Sequence, residues 1–252
     1  MSNAMTGHQA TLVGLALIFI FAGFVKGTIG MGLPTVAIGF LSLLMPPAEA
    51  ATILILPSFV TNVWQLAVGV QLAALARRLW PLLGAAALAT IAAGRWIGAV
   101  NNPATLTALG AAIVLYAIIG LAPLRLDVPA RHEFWLGPLV GAVTGVMTAL
   151  TGVFVIPAVP YLQGLRLKPG ALVQALGLSF TISTIALAIA LADSGHFQLP
   201  AAGASVLALA ASLGGMYLGQ RVRARLQPKT FRLCFLIGLL LLGAHLVLRS
   251  VL

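Results

Sequence analysis

The chain has 252 residues, of which 61% are hydrophobic and only 7% charged. So little polar surface cannot enclose a water-soluble core, and the fold class that follows is an all-α integral membrane protein. The formal net charge of +10 suits cytoplasmic loops of a membrane protein and, without a basic face interleaved with exposed aromatics, argues against nucleic acid as a partner.

Residues 1–9, with Ser2-Asn3-Ala4 ahead of Met5, read as a tag remnant and N-terminal tail. The first transmembrane repeat, 10–124, opens with an apolar stretch too long for one span. It is interrupted by Gly23, Gly27, Gly30, Gly32, Pro34 and Gly39, with Lys26 among them. As helices, the arms Ala10 to Lys26 and Leu33 to Met45 would reach about 26 and about 20 Å, short of a hydrocarbon core of roughly 30 Å. The spacing therefore predicts a broken, re-entrant helical hairpin. Spans follow at 48–70, 79–100 and 104–124, punctuated by Arg77-Arg78 and by Asn101-Asn102-Pro103. A charged linker, 125–133, leads into the second repeat, 134–252. Its broken pair lies at 134–147 and 152–163, followed by spans at 170–192 and 199–219 and a last span ending near Arg249.

The repetition is in the residues themselves. Gly23, Val25, Gly27 and Ile38 recur 118 residues later as Gly141, Val143, Gly145 and Ile156; Pro47 and Leu54 recur as Pro169 and Leu176; Pro103 recurs as Pro228. Loop charges choose the topology. Were each broken stretch one crossing helix, Arg166, Lys168, Arg221, Arg223, Arg225, Lys229 and Arg232 would oppose Arg77, Arg78, Arg125, Arg131 and Arg249, which hardly picks a side. With each as a hairpin, all of these except Arg249 share one face. That face is cytoplasmic, both termini are extracytoplasmic, and five segments per half make the two repeats inverted. The location expected is a bacterial-type inner (plasma) membrane.

The glycine-rich tip in two copies, the Gly177-Leu-Ser179 element and the pairs Gly94-x3-Gly98 and Gly215-x3-Gly219 together resemble the sulfite exporter TauE/SafE family. The likeness runs over nearly the whole chain from about Leu12. It implies a transporter, with export the expected direction, moving sulfite, sulfonates or other small sulfur-containing or organic anions. The chain departs from the family's run of adjacent glycines, with Gly30-Met-Gly32-Leu-Pro34 in the first copy and Thr148-Ala-Leu-Thr151-Gly152 in the second.

Candidate substrate-binding residues follow from the chemistry of an anion at membrane depth. Helix N-termini at the hairpin tips, meeting near the midplane, offer free N–H groups and a positive dipole end. This nominates Gly27, Thr28, Gly30 and Gly32 in the first tip and Thr148, Thr151 and Gly152 in the second; the alternative for the glycines is close helix packing. Lys26 is a costly cation in an apolar run, either an anion ligand or a snorkelling side chain. Arg95 could fork onto an oxyanion or reach the interface beside Trp96. Asn62 and Gln65, on one side with Ser58 and Thr61, and Gln174, Ser179 and Ser183 in the second half are either anion-solvating groups or interhelical glue.

No catalytic set stands out. Ser179 and Ser183 lack a neighbouring histidine, the four histidines are scattered, Cys234 is alone, and Gly27-x2-Gly30-x-Gly32 has no βαβ context. No enzyme activity, metal or cofactor is expected. The partners expected are a small anion and the lipid bilayer, with a homodimer left open. The readings kept beside a transporter are an anion channel and a non-transporting membrane enzyme or scaffold.

Overall fold

The computed structural model describes residues 2–98, 100, 104–122, 127–194, 201–223 and 228–251. The turns expected at 101–103 and 195–200, with His196, lie outside the described residues, as do Arg125 and Arg225 in the linker and the basic loop. Among the described residues the chain forms ten α-helices and no strand. The first five are α1 (Ser2–Ile29), α2 (Leu33–Leu41), α3 (Pro47–Ala67), α4 (Leu72–Ala93) and α5 (Thr105–Leu121), with a π-helical turn, Gly94–Gly98, closing α4. The second five are α6 (Ala130–Thr151), α7 (Ala158–Gly164), α8 (Pro169–Asp193), α9 (Ala201–Arg223) and α10 (Pro228–Val251). Helices satisfy their backbone groups internally, which is what a lipid solvent demands. Six stretches, Thr11–Ile29, Pro47–Ala67, Leu72–Ile97, Ala130–Thr151, Pro169–Asp193 and Thr230–Ser250, are long and apolar enough to cross a membrane, so the protein is multi-pass.

The broken regions differ in length from the sequence expectation. Helix α1 continues through Lys26 and Gly27 to Ile29, so its apolar part, 19 residues, spans roughly 28 Å. The first arm is therefore of crossing length, and only the returning arm, nine-residue α2, is short. Gly27 does not end α1 because it is a packing residue: a Cβ there would lie 2.3 Å from the Met216 carbonyl of α9. In the second half α6 reaches Thr151 and α7 starts only at Ala158. Pro157 disfavours helical backbone at Ile156, which delays the return.

Glycines set the tightest helix contacts. Gly23 and Gly27 of α1 face the Ser212 and Met216 carbonyls of α9, and Gly215 and Gly219 of α9 face the Ile20 and Phe24 carbonyls of α1. Gly141 and Gly145 of α6 meet the Leu82 and Ala86 carbonyls of α4 in the same way. Helix α5 packs on α10, and α3 on α8. Exchanging the two sets of five helices maps α1 with α9 onto α6 with α4, and α3 with α9 onto α8 with α4; all four pairs are in contact.

The two ends of the bundle differ in charge, because Arg77, Arg131, Lys168, Arg221 and Arg223 all stand near helix ends on one side. At one end Arg78 pairs with Glu133, Arg166 with Asp127, and Arg232 donates to the Gly120 carbonyl at 3.3 Å. At the other end Arg249 donates to the Leu43 carbonyl at 3.1 Å and Arg95 pairs with Asp193. Trp64, Trp96 and Trp135, each near a helix end, and Trp80 are all exposed, as side chains facing lipid and its interface are.

Candidate functional site

The break between α1 and α2 is made by two glycines in left-handed backbone, Gly30 at φ 86° and Gly32 at φ 103°, a region that other residues rarely adopt. Gly30 N–H closes the last turn of α1 on the Lys26 carbonyl at 2.7 Å, and α2 resumes with Gly32 as its N-cap. Lys26 thus stands one turn before the break. Its side chain is 3% exposed and crosses to α3, where Nζ donates to Thr61 Oγ1 at 3.1 Å and to Asn62 Oδ1.

These contacts continue across the molecule. Asn62 Nδ2 donates to Ser58 Oγ at 3.2 Å, and Ser58 Oγ lies 3.3 Å from Thr184 Oγ1 of α8. Ser58 meets Thr184 while Gln65 meets Val173, so α3 and α8 run antiparallel and the polar chain crosses near the middle of both. Gln65 sits at the break itself, its Nε2 donating to the Gly30 carbonyl at 2.9 Å and to the Val173 carbonyl at 3.0 Å. Its Oε1 and the buried Ser183 Oγ have no partner among the described residues. At the 122-residue offset that separates Pro47 from Pro169, Ser183 falls opposite Thr61 in the sequence. Thr144, the counterpart of Lys26, bonds its own helix at the Val140 carbonyl.

The other nominated residues separate into roles. Thr28 is spent on the Val25 and Phe24 carbonyls of its own helix. Gln174 clasps the end of α3, donating to the Leu66 carbonyl at 2.9 Å and accepting from the Gln71 N–H at 2.9 Å. Thr148 bonds the Thr144 carbonyl; Thr151 bonds the Met147 carbonyl and accepts from Val153 N–H, capping the second break, where Gly152 has φ 70°. Ser179 is buried on α8. Arg95 lies away from this assembly, its side chain 61% exposed and its Nε 2.8 Å from Asp193 Oδ2. The end of α4 turns it outward beside exposed Trp96.

The two breaks do not face each other. Gln65 marks the level of the first, while a Cβ on Gly152 would touch Ile38 and Ala51 at the second. Ala51 and Gln65 are separated on α3 by 14 residues, roughly 21 Å of helix. The meeting of the tips near the midplane, expected from their duplication, is replaced by a stagger, because the first arm of each pair is close to full crossing length. What occupies the middle is the Lys26 chain.

Below the first break, at the basic end, a cavity of about 1000 Å³ opens between α5, α7 and α10. Ile29 and Met31 form its floor, Tyr116, Gln163 and Phe235 its walls, and Asp127, Arg166 and Arg232 its rim; Lys26 does not line it. Tyr116 Oη donates toward Met31 Sδ at 3.5 Å, fixing the loop between the two glycines. Tyr116 and Gln163 were missed in the sequence; a tyrosine inside an otherwise apolar α5 is the signal that could have found the first. Among the described residues no group of three His, Cys, Asp or Glu could hold a metal.

A family profile, described as Sulfite exporter TauE/SafE, matches residues 15–246. No curated protein and no solved structure gave a match. The matched span takes in both breaks, the Lys26 chain and the cavity, and on that span the chain belongs to the TauE/SafE family of sulfite exporters, a family of transporters rather than enzymes.

Proposed function

We propose that the protein exports a small sulfur-containing or organic anion, sulfite or a sulfonate in the first instance, by alternating access to a site at Lys26. The observation that carries this reading is a buried lysine whose partners among the described residues are uncharged, one turn from a helix break that closes over a polar-rimmed cavity. An ammonium at this position calls for a counter-anion, which makes it an anion site. The second hydrogen of Asn62 Nδ2 and the hydroxyl of Ser183, beside Thr184 on α8 and without a partner among the described residues, are donors that would replace water around the oxyanion. Arg166 and Arg232 at the rim raise the local anion concentration.

In this account the basic end is cytoplasmic, which places the cavity on the loading side of an exporter. The two sets of five helices act as inverted repeats that rock about the α3–α8 crossing; the exchange symmetry of their packing supports this. The partners are the anion and the bilayer of a bacterial-type inner membrane.

Purified protein in liposomes loaded with labelled sulfite tests it. Efflux that saturates with concentration and is inhibited by external methanesulfonate is expected. Flux that rises linearly without saturation would make the protein a channel, and no flux from correctly folded protein would favour the enzyme or scaffold reading.

A further inference from the structure

Among the described residues Lys26 has acceptors for two hydrogens and no more. Thr61 spends its own hydroxyl hydrogen on the Pro57 carbonyl at 2.7 Å, so toward Nζ it only accepts. Asn62 turns Oδ1 to Lys26 and donates from Nδ2 to Ser58. A neutral amine has two N–H groups, which these two acceptors satisfy; an ammonium has a third hydrogen and a charge, and neither finds a partner among the described residues.

The chain has four acidic residues, and none can neutralise Lys26. Asp127 pairs with Arg166, Glu133 with Arg78 and Asp193 with Arg95. Glu49 lies in the first turn of α3, 13 residues or roughly 20 Å of helix from Asn62. The helices packed on α1 add no acid. On α9, Arg221 stacks over Tyr217 at 4.8 Å and Arg223 is exposed. On α10, Arg232 and Arg249 bond distant carbonyls, and Cys234 and His245 are exposed. Helix α2 has no titratable side chain.

We propose that Lys26 binds a proton together with the anion. This rests on the reading of Lys26 as the anion site and names the coupling ion. Without anion, Lys26 is a neutral amine held by Thr61 and Asn62. A monoanion and one proton from water enter together, the amine lone pair taking the proton to give an ammonium whose third hydrogen and charge meet the anion. Both leave together on the far side. Each cycle therefore carries no net charge, so its direction follows the product of anion and proton concentrations on the two sides and not the membrane potential, and export runs when the anion's outward gradient exceeds the inward proton gradient. Burying an ion pair in place of a lone ion is what makes the occupied site tolerable in a medium of low dielectric.

Calorimetry of the wild-type protein with methanesulfonate tests this, since that anion keeps its charge across the working range. Binding measured at about pH 8 in two buffers of different ionisation enthalpy counts the protons taken up. Uptake approaching one proton per anion is expected. Binding without uptake overturns the coupling while leaving the anion site standing; absence of binding by methanesulfonate, sulfite and acetate overturns the site itself. In liposomes the wild type should accumulate methanesulfonate about tenfold per unit of pH gradient, with a valinomycin-imposed potential having no effect. Lys26→Arg, whose guanidinium stays charged, should bind with no proton uptake.

Discussion

Lys26 is the residue on which the chemistry depends, and its substitution separates function from folding. In Lys26→Met the apolar side chain removes a buried polar group and leaves Thr61 Oγ1 and Asn62 Oδ1 without their donor. The two effects oppose each other, each on the order of 1 kcal/mol, so the melting temperature in detergent should stay within about 4 °C of wild type. Sulfite efflux should fall at least roughly tenfold, the size of a lost charge-assisted hydrogen bond. Gln65→Leu should behave differently, because Gln65 Nε2 ties the Gly30 carbonyl and the Val173 carbonyl at once. It should cost about 1–3 kcal/mol, seen as a lower melting temperature, and slow transport with little change in anion affinity. A Gln65→Leu protein as stable as wild type would show that the break does not depend on this clasp.

Lys26 was visible in the sequence because a charge in an apolar run is costly wherever it ends up. Its partners were visible only as a class: Ser58, Thr61, Asn62 and Gln65 recur at helical spacing, but which of them Nζ reaches depends on the separation of α1 and α3. Arg95 looked equally chemical, and its destination was not legible, since the neutralising Asp193 is 98 residues away and met only when α4 and α8 pack.

At the scale of the element, the helices are ordered by where glycine lets backbones touch. Ala at Gly215 would put Cβ 2.0 Å from the Ile20 carbonyl, whereas Gly84, in the middle of α4, has nothing within 4 Å. Gly215→Ala should therefore force α1 and α9 apart and lower the melting temperature sharply or prevent accumulation of folded protein. Gly84→Ala should be neutral or stabilising by roughly 0.5–1 kcal/mol, the helix-propensity gain. Equal behaviour of the two variants in a thermal melt would count against the packing account. Gly27 shows why the sequence misjudged the first arm. Read as a helix breaker it ended α1 at Lys26, but a glycine facing another helix is a contact point, and only the partner α9 reveals which it is.

At the scale of the whole molecule, the proposal of two repeats rests on recurring glycines and prolines, which sit where helices break or touch. The stagger of the breaks and the cavity could not be read from the sequence. Both depend on how far each arm runs and on α5, α7 and α10 converging at one end, a long-range result that no local spacing encodes. The orientation is testable on that geometry. With Cys234 replaced by Ser, a cysteine at Gln163, on the cavity wall, should react with a membrane-impermeant thiol reagent only from the cytoplasmic side. One at Leu44, exposed at the opposite end, should react only from outside. Labelling of Gln163→Cys from the outer face would reverse the proposed loading side.

The central claim is that an anion binds at Lys26, and thermal melting of the detergent-purified protein in sulfite, methanesulfonate, acetate and phosphate, against chloride at equal ionic strength, tests it most directly. At about a hundred times its dissociation constant a ligand adds about 2.7 kcal/mol, so wild type should melt roughly 5–10 °C higher in sulfite or methanesulfonate, and Lys26→Met should not respond. No stabilisation of the wild type by any of these anions, or full stabilisation of Lys26→Met, would contradict the account.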